Sequence, residues 1–316
     1  MIDSFRKVFF TFSSLLLLTL HVSYAADIQV YTTQNTNNSI TPKSIEVAFN
    51  HSHLTLLGNN NMNKPFLQRF KKVHYKVYNL AMFMNNDLTY KLLKKYPQFG
   101  ALTPLTMSIW QDAKGSINIA TLTLNGMARV ANIPKEDPDL KEYALLIQKA
   151  LHNALPNGKY KEFSSQTKKD IKKSYQVNLT TSVELEDGED LEDYIDTFEE
   201  EFEAEMESVG FLFPNITNIQ DEIFKKYNYN EYDFYHTYSI CKFDVIYPIS
   251  KDHPEAGAWA PCSFYIYKRK GERKMYMGLL GVQNWITTLH ITDKESIELL
   301  TQTQSAITNI LNEVIE

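Results

Sequence analysis

Hydrophobic and polar positions along this chain switch between two periods, and the switches come in the same order in each half. Near the start, IQVYTTQ alternates like a strand, and an Asn-rich stretch leads to Thr41-Pro42, an N-cap followed by proline at the first helical position. A helix is predicted from there to about Ser52. Residues 54–57 read as a strand, the run of Gly58 and three asparagines as a turn, and Pro65 to Phe70 as a helical turn. Val73 to Phe83 is rich in strand formers, and a helix follows over Asp87 to Lys95. A hairpin is predicted from Leu105–Gln111 and Ser116 to Leu124. Asp137-Pro138 then caps an amphipathic helix with Leu140, Ala144, Ile147, Leu151 and Leu155 on one face, stopped by Pro156-Asn157-Gly158.

Lysine-rich residues 159–174 predict a connector, after which Tyr175 to Val183 alternates again as a strand. Between Glu184 and Glu207 stand 14 acidic residues and no basic one, while Leu191, Ile195, Phe198, Phe202 and Val209 recur at near-helical spacing. That pattern predicts a helix with an apolar seam and a solvated acidic face. A calcium loop counted back from Gly188 would need acids where Val183 and Leu185 stand. A short helix near Gln220 to Tyr227 and a strand from Tyr232 to Cys241 follow. Thr292 with Glu295 reads as a capping box that opens a last helix to about Glu313.

The two halves also share residues. Pro97, Gly100, Ala101 and Pro104 fall on Pro254, Gly257, Ala258 and Pro261 at one offset, and Lys114-Gly115 matches the turn Lys270-Gly271. Tyr75 and Tyr78 are expected on Tyr235 and Tyr238. The chain is therefore expected to hold two tandem repeats, 26–158 and 175–316, joined by 159–174. The fold class is α+β, each repeat a curved antiparallel sheet covered by helices.

Composition refines this picture. Residues 1–25 carry Arg6 and Lys7, an apolar run from Val8 to Leu20 and the small-x-small site Ser23-Tyr24-Ala25, as in a signal peptide cleaved before Ala26. The apolar run falls short of the ~20 residues that span a bilayer, so an uncleaved anchor is the lesser reading. A periplasmic or secreted product is expected, with no membrane span after signal removal. The net charge of −6 becomes more negative without the leader, which argues against nucleic acid as a partner.

The second half resembles the family catalogued as domain of unknown function 302. The resemblance rests on a helix ending in Gly210-Phe211, a strand ending in Cys241, Pro254 to Gly257, Pro261-Cys262 opening a strand, and the C-terminal amphipathic helix. It covers about Leu191 to Glu313 and, more weakly, Thr41 to Leu155. It implies helices packed on a curved antiparallel sheet, similar in outline to the TATA-box-binding-protein class, and carries no established activity. Lys242-Phe243 stand where members often have Asn-Pro. Ala81 and Leu105 occupy the cysteine positions in the first half.

Cys241 and Cys262 are the only cysteines. They read as a structural disulfide, as two buried thiols, or as a redox or metal pair lacking the C-x-x-C spacing. His236 and His253 are the weak metal candidates. An odd separation puts His236 and Cys241 on opposite faces of a flat strand, so a joint site needs a bulge. Tyr235, Tyr238, Trp259, Tyr265 and Tyr267 form a possible ligand or partner face, since alternation sets Tyr265 and Tyr267 opposite Phe264 and Ile266. No hydrolase, zinc-protease, P-loop or dinucleotide fingerprint is present, so a hydrolase or dehydrogenase is not indicated, the cofactor is left open and the reading leans away from an enzyme. The leading expectation is an exported two-repeat binding protein for a small apolar or aromatic molecule or an envelope protein partner. The alternative is a periplasmic redox or metal-handling protein using Cys241 and Cys262. The basic hairpin tip around Lys268, Arg269 and Lys270 reads as a solvated turn.

Overall fold

The computed structural model describes residues 26–161, 178–185 and 190–315; the expected leader and most of the connector lie outside them. In the first half β1 (Ile28–Gln34) leads to α1 (Pro42–His51), whose N-cap Thr41 accepts from the Ser44 amide at 3.1 Å. Next come β2 (Thr55–Asn61), α2 (Asn63–Phe70), β3 (Val77–Met84) and α3 (Asn86–Lys95). A 3-10 turn, Pro97–Leu102, enters the hairpin β4 (Leu105–Gln111) and β5 (Ser116–Leu122), followed by α4 (Leu124–Val130), α5 (Pro138–Ala154) and the two-residue β6 (Lys159–Tyr160). The sheet order is β2-β3-β4-β5-β1-β6. The first residues of the expected connector thus belong to this sheet, through pairing of β6 with β1.

The second half repeats that order of elements. It runs β7 (Asn178–Glu184), α6 (Leu191–Ser208), β8 (Leu212–Asn218), α7 (Ile219–Glu222) with a 3-10 turn at Phe224–Tyr227, and β9 (Tyr232–Cys241). Then come α8 (Phe243–Asp252), the 3-10 turn Pro254–Ala258, the hairpin β10 (Cys262–Arg269) and β11 (Lys274–Leu280), α9 (Gln283–Thr288) and α10 (Lys294–Ile315). Its sheet order, β8-β9-β10-β11-β7, matches β2-β3-β4-β5-β1 strand for strand, and every neighbouring pair is antiparallel. Two antiparallel sheets flanked by helices make this an α+β protein.

Four local expectations differ from the structure. Gly58 to Asn61 are strand, because a register shift between Leu56 and Gly58 lets the chain bend and Asn59 donates its amide to the Pro42 carbonyl. The last helix is capped by Asp293, whose carboxylate accepts from the Ser296 amide at 2.8 Å, and Thr292 stays outside it. Val209 lies past the end of α6 and is exposed, while Met206 completes the apolar seam of Ile195, Phe198 and Phe202. Pairing with β4 and β10 sets Phe83 level with Ile240, so Tyr78 answers to Tyr235 and Met84 to Cys241, three residues from the expected match.

In each half one sheet face is covered by the half's own long helices. In the second half, Phe234, Tyr238, Ile240, Phe264, Ile266 and Met277 pack under α6 and α10. The opposite faces meet in a core shared by both halves, which takes in Tyr78 and Leu80 from one and Tyr235 and Tyr265 from the other. The Pro-Gly turns interlock there reciprocally. A Cβ on Gly100 would lie 2.2 Å from the Tyr235 hydroxyl and 2.7 Å from the Tyr265 Cβ; one on Gly257 would lie 2.5 Å from the Ser108 Cβ and 2.9 Å from its Cα. Tyr235 Oη donates to the Pro97 carbonyl at 2.5 Å, Thr106 Oγ1 to Ala258 O at 2.9 Å, and Ser263 Oγ to Pro104 O at 3.2 Å.

Because Gly257 meets backbone of the other half, Gly257→Ala is expected to lower stability by about 1–3 kcal/mol in urea unfolding. Trp110 lies in one half and Trp259 in the other. Loss of structure followed at both, using variants that keep one tryptophan at a time, should shift together; a midpoint moving in the second half alone would contradict a shared core.

Candidate functional site

The interlocked turns hold the middle of the two sheets together, and the edge strands β2 and β8 also come into contact. A cleft of about 630 Å³ opens there, within the range of small-molecule sites, at a junction of units where such sites concentrate. The first half supplies Met62, Pro65 and Leu80, together with Asn60 and Asn61 from β2. From the second half Phe213, Pro214 and Ile216 of β8 and Phe243 of α8 form the facing wall, with Cys241 and Pro261 at its base. Leu212 and Ile216 expose 41% and 45% of their surface here, a large apolar exposure for an ordered strand. The Pro214 ring on β8 also removes a donor from this edge.

The charged groups of the cleft are Glu203 and Glu207, projecting from α6 one turn apart. Glu199, one turn earlier on the same stripe, is engaged: its Oε1 lies 2.6 Å from His236 Nδ1 and accepts from the Tyr238 hydroxyl. Burial pushes the Glu203 carboxyl above its ordinary value, and the charges of Glu199 and Glu207 push it further the same way. Among the described residues neither Glu203 nor Glu207 has a hydrogen bond or an ion pair through its side chain.

Cys241 also lines a second, narrower pocket of about 40 Å³ inside the second half, where Cys262 joins it. Its walls are apolar, from Val245 and Ile246 of α8 to Leu300 and Ile307 of α10, and the Trp285 indole lies beside Cys262. Both cysteines are free thiols in this structure. Burial pushes each up to about 12; the neighbouring sulfur adds to the rise at Cys241, and the Trp285 indole offsets part of it at Cys262. Cys241 is buried and Cys262 half-buried, and protonated thiols in such a setting are poor nucleophiles and poor metal ligands until deprotonated.

The residues singled out in the sequence are distributed over several places. Tyr235, Tyr265 and Tyr267 share one face, but the first half's Pro97–Leu102 turn covers the first two. Tyr238 lies on the opposite face, under α6, and Trp259 is buried with its indole Nε1 donating to Thr288 Oγ1 at 2.7 Å. His236 sits with Tyr238 against Glu199, and β9 runs without a bulge from Phe234 to Cys241, so His236 and Cys241 stay on opposite faces. His253 ends α8, its Nδ1 3.5 Å from Glu255 Oε1. Among the described residues, no group of three or more His, Cys, Asp or Glu side chains is placed to hold a metal ion. The lysines of the hairpin tip are locally engaged, Lys268 with Asp233 and Lys270 with the Asn230 side chain. Sequence reasoning missed the cleft acids and the β8 wall. The four-residue spacing of Glu199, Glu203 and Glu207 beside an apolar seam was the available signal.

Residues 30–157 match the family model described as Domain of unknown function DUF302. A similar solved chain is the crystal structure of an uncharacterized conserved protein DUF302 from Bacillus stearothermophilus, 13% identical, covering 44% of this chain and 98% of that one with a TM-score of 0.35. No curated protein matches. The family match falls on the first half, where the resemblance drawn from the sequence is the weaker. No described helix is long and apolar enough to cross a membrane.

The thiols give a pH signature. Their protonated form is favoured in the fold, whereas in an unfolded chain they ionise near their ordinary value of 9.0. The stabilisation is therefore complete below about pH 9 and is lost as pH rises through about 12. At about pH 8 the native protein should resist iodoacetamide and show no thiolate absorbance, and two equivalents should react once it is unfolded. Rapid alkylation of the folded chain would contradict this burial.

Proposed function

We propose that this chain is an exported binding protein that holds a small apolar or aromatic molecule in the cleft between its two halves. The observation that carries the reading is the cleft itself: about 630 Å³, walled by Phe213, Phe243, Met62 and Leu80, at the junction where the reciprocal turns end. Exposed Leu212 and Ile216 lose water contact when an apolar molecule fills it, which supplies the driving force. The two halves are read as two copies of one unit, supported by their common strand order and shared Pro-Gly turns. Export rests on the leader-like residues 1–25. A protein of the cell envelope that inserts an apolar side chain into the same cleft is the macromolecular form of this reading.

The redox or metal-handling alternative has one observation in its favour. Cys241 and Cys262 line the same pocket, and ionisation of one is felt by the other. Their protonated state weighs against it and favours two buried thiols, or a structural disulfide once the protein meets an oxidant.

Fluorescence titration of the full chain with N-phenylnaphthylamine tests the binding reading. Enhancement with saturable affinity is expected, weakened roughly tenfold by Phe213→Ala, the loss of a buried aromatic wall costing on the order of 1–2 kcal/mol in a half-open site. Unsaturable enhancement, or equal binding by the variant, would remove the cleft from consideration.

A further inference from the structure

Resting on the cleft as a binding site, we propose that its occupant is an apolar or aromatic amine, held by its ammonium group between Glu203 and Glu207. The lining combines two features that separately say little. Its body is apolar, with Phe213 and Phe243 in its lining, and its charged groups are two carboxylates with no cation among the lining residues. Cys241, 8% exposed and without a hydrogen bond among those residues, faces the cleft as a neutral thiol and offers no positive charge. Two lysines adjoin lining residues in sequence, and neither lines the cleft: Lys242, whose ammonium sits 5.0 Å from the centroid of the Phe211 ring, and exposed Lys64 beside Pro65.

The electrostatics favour a cation over a neutral or anionic ligand. Glu199, Glu203 and Glu207 lie on successive turns of α6, and of these Glu199 alone is engaged, by His236 and Tyr238. The pressure on Glu203 comes from burial and from its two acidic neighbours. An ammonium group at this end of the cleft relieves the repulsion, gains charge-assisted hydrogen bonds, and can lie over an aromatic face. A carboxylate ligand meets the same repulsion and is rejected. Selectivity is thus set by the helix, while affinity comes from the apolar walls.

Isothermal titration calorimetry on the full chain with three probes of one shape decides the matter: naphthylmethylamine, naphthylmethanol and naphthoate, near neutral pH. The amine is expected to bind roughly tenfold or more tightly than the alcohol, with naphthoate weakest. In the Glu203→Gln, Glu207→Gln double variant the preference should vanish while the alcohol keeps its affinity; circular dichroism checks that the fold is intact. Equal affinity for amine and alcohol, or a preference that survives in the double variant, overturns the amine assignment and leaves the apolar cleft standing. If none of the three binds, both the assignment and the binding reading fall.

Discussion

Each sheet has one face that its own helices do not cover, and a Pro-Gly turn from the other half fills it. That reciprocal contact is the constraint on which the rest of the molecule depends. It works only because Gly100 and Gly257 bring backbone to within reach of rings and side chains that any Cβ would strike. The hydrogen bonds crossing the contact, from Tyr235, Thr106 and Ser263 to carbonyls of the facing turns, satisfy backbone that a dry interface would otherwise leave unpaired. The contact continues to the edges, where β2 meets β8, and the cleft is lined from both sides of that junction.

Electrostatics divide the second half into two chemical settings a few residues apart. Around Cys241 and Cys262, apolar side chains and the Trp285 indole remove water and keep both sulfurs neutral. Along α6, Glu203 and Glu207 keep contact with the cleft and carry uncompensated charge. One setting suits packing, and the other suits recognition. The cysteines, the rarest residues in the chain, therefore belong to the quieter of the two places.

Much of the fold was readable from sequence because it is local. Tyr232–Cys241 and Leu105–Gln111 announced themselves by composition and by the turns that bound them, and Gly115 and Gly271 do adopt the positive φ their hairpins need. Short α4 and α9 were missed because one or two helical turns leave no period to read. The asparagine run after Gly58 looked like a turn, but its side chains bond to α1 and β3 and turn it into an edge strand. The aromatic face was correctly sorted by alternation for Tyr265 and Tyr267, yet nothing local says that a turn some 140 residues earlier lies on it. The cleft was illegible for the same reason: Met62 and Leu80 meet Glu203 and Phe213 only when the edges of two sheets come side by side.

The exchange of turns has the geometry of a two-fold pair, in which each partner gives what it receives. Were the halves separate copies of one polypeptide, any change on the shared face would appear twice and would have to suit both positions at once. A single continuous chain lifts that restriction. Position for position, Ser108 stands where the second half has Tyr265, so a small and a large side chain face the two glycine turns on opposite sides of one contact. The strand order and the turns match between the halves, while the side chains around the contact differ from one half to the other.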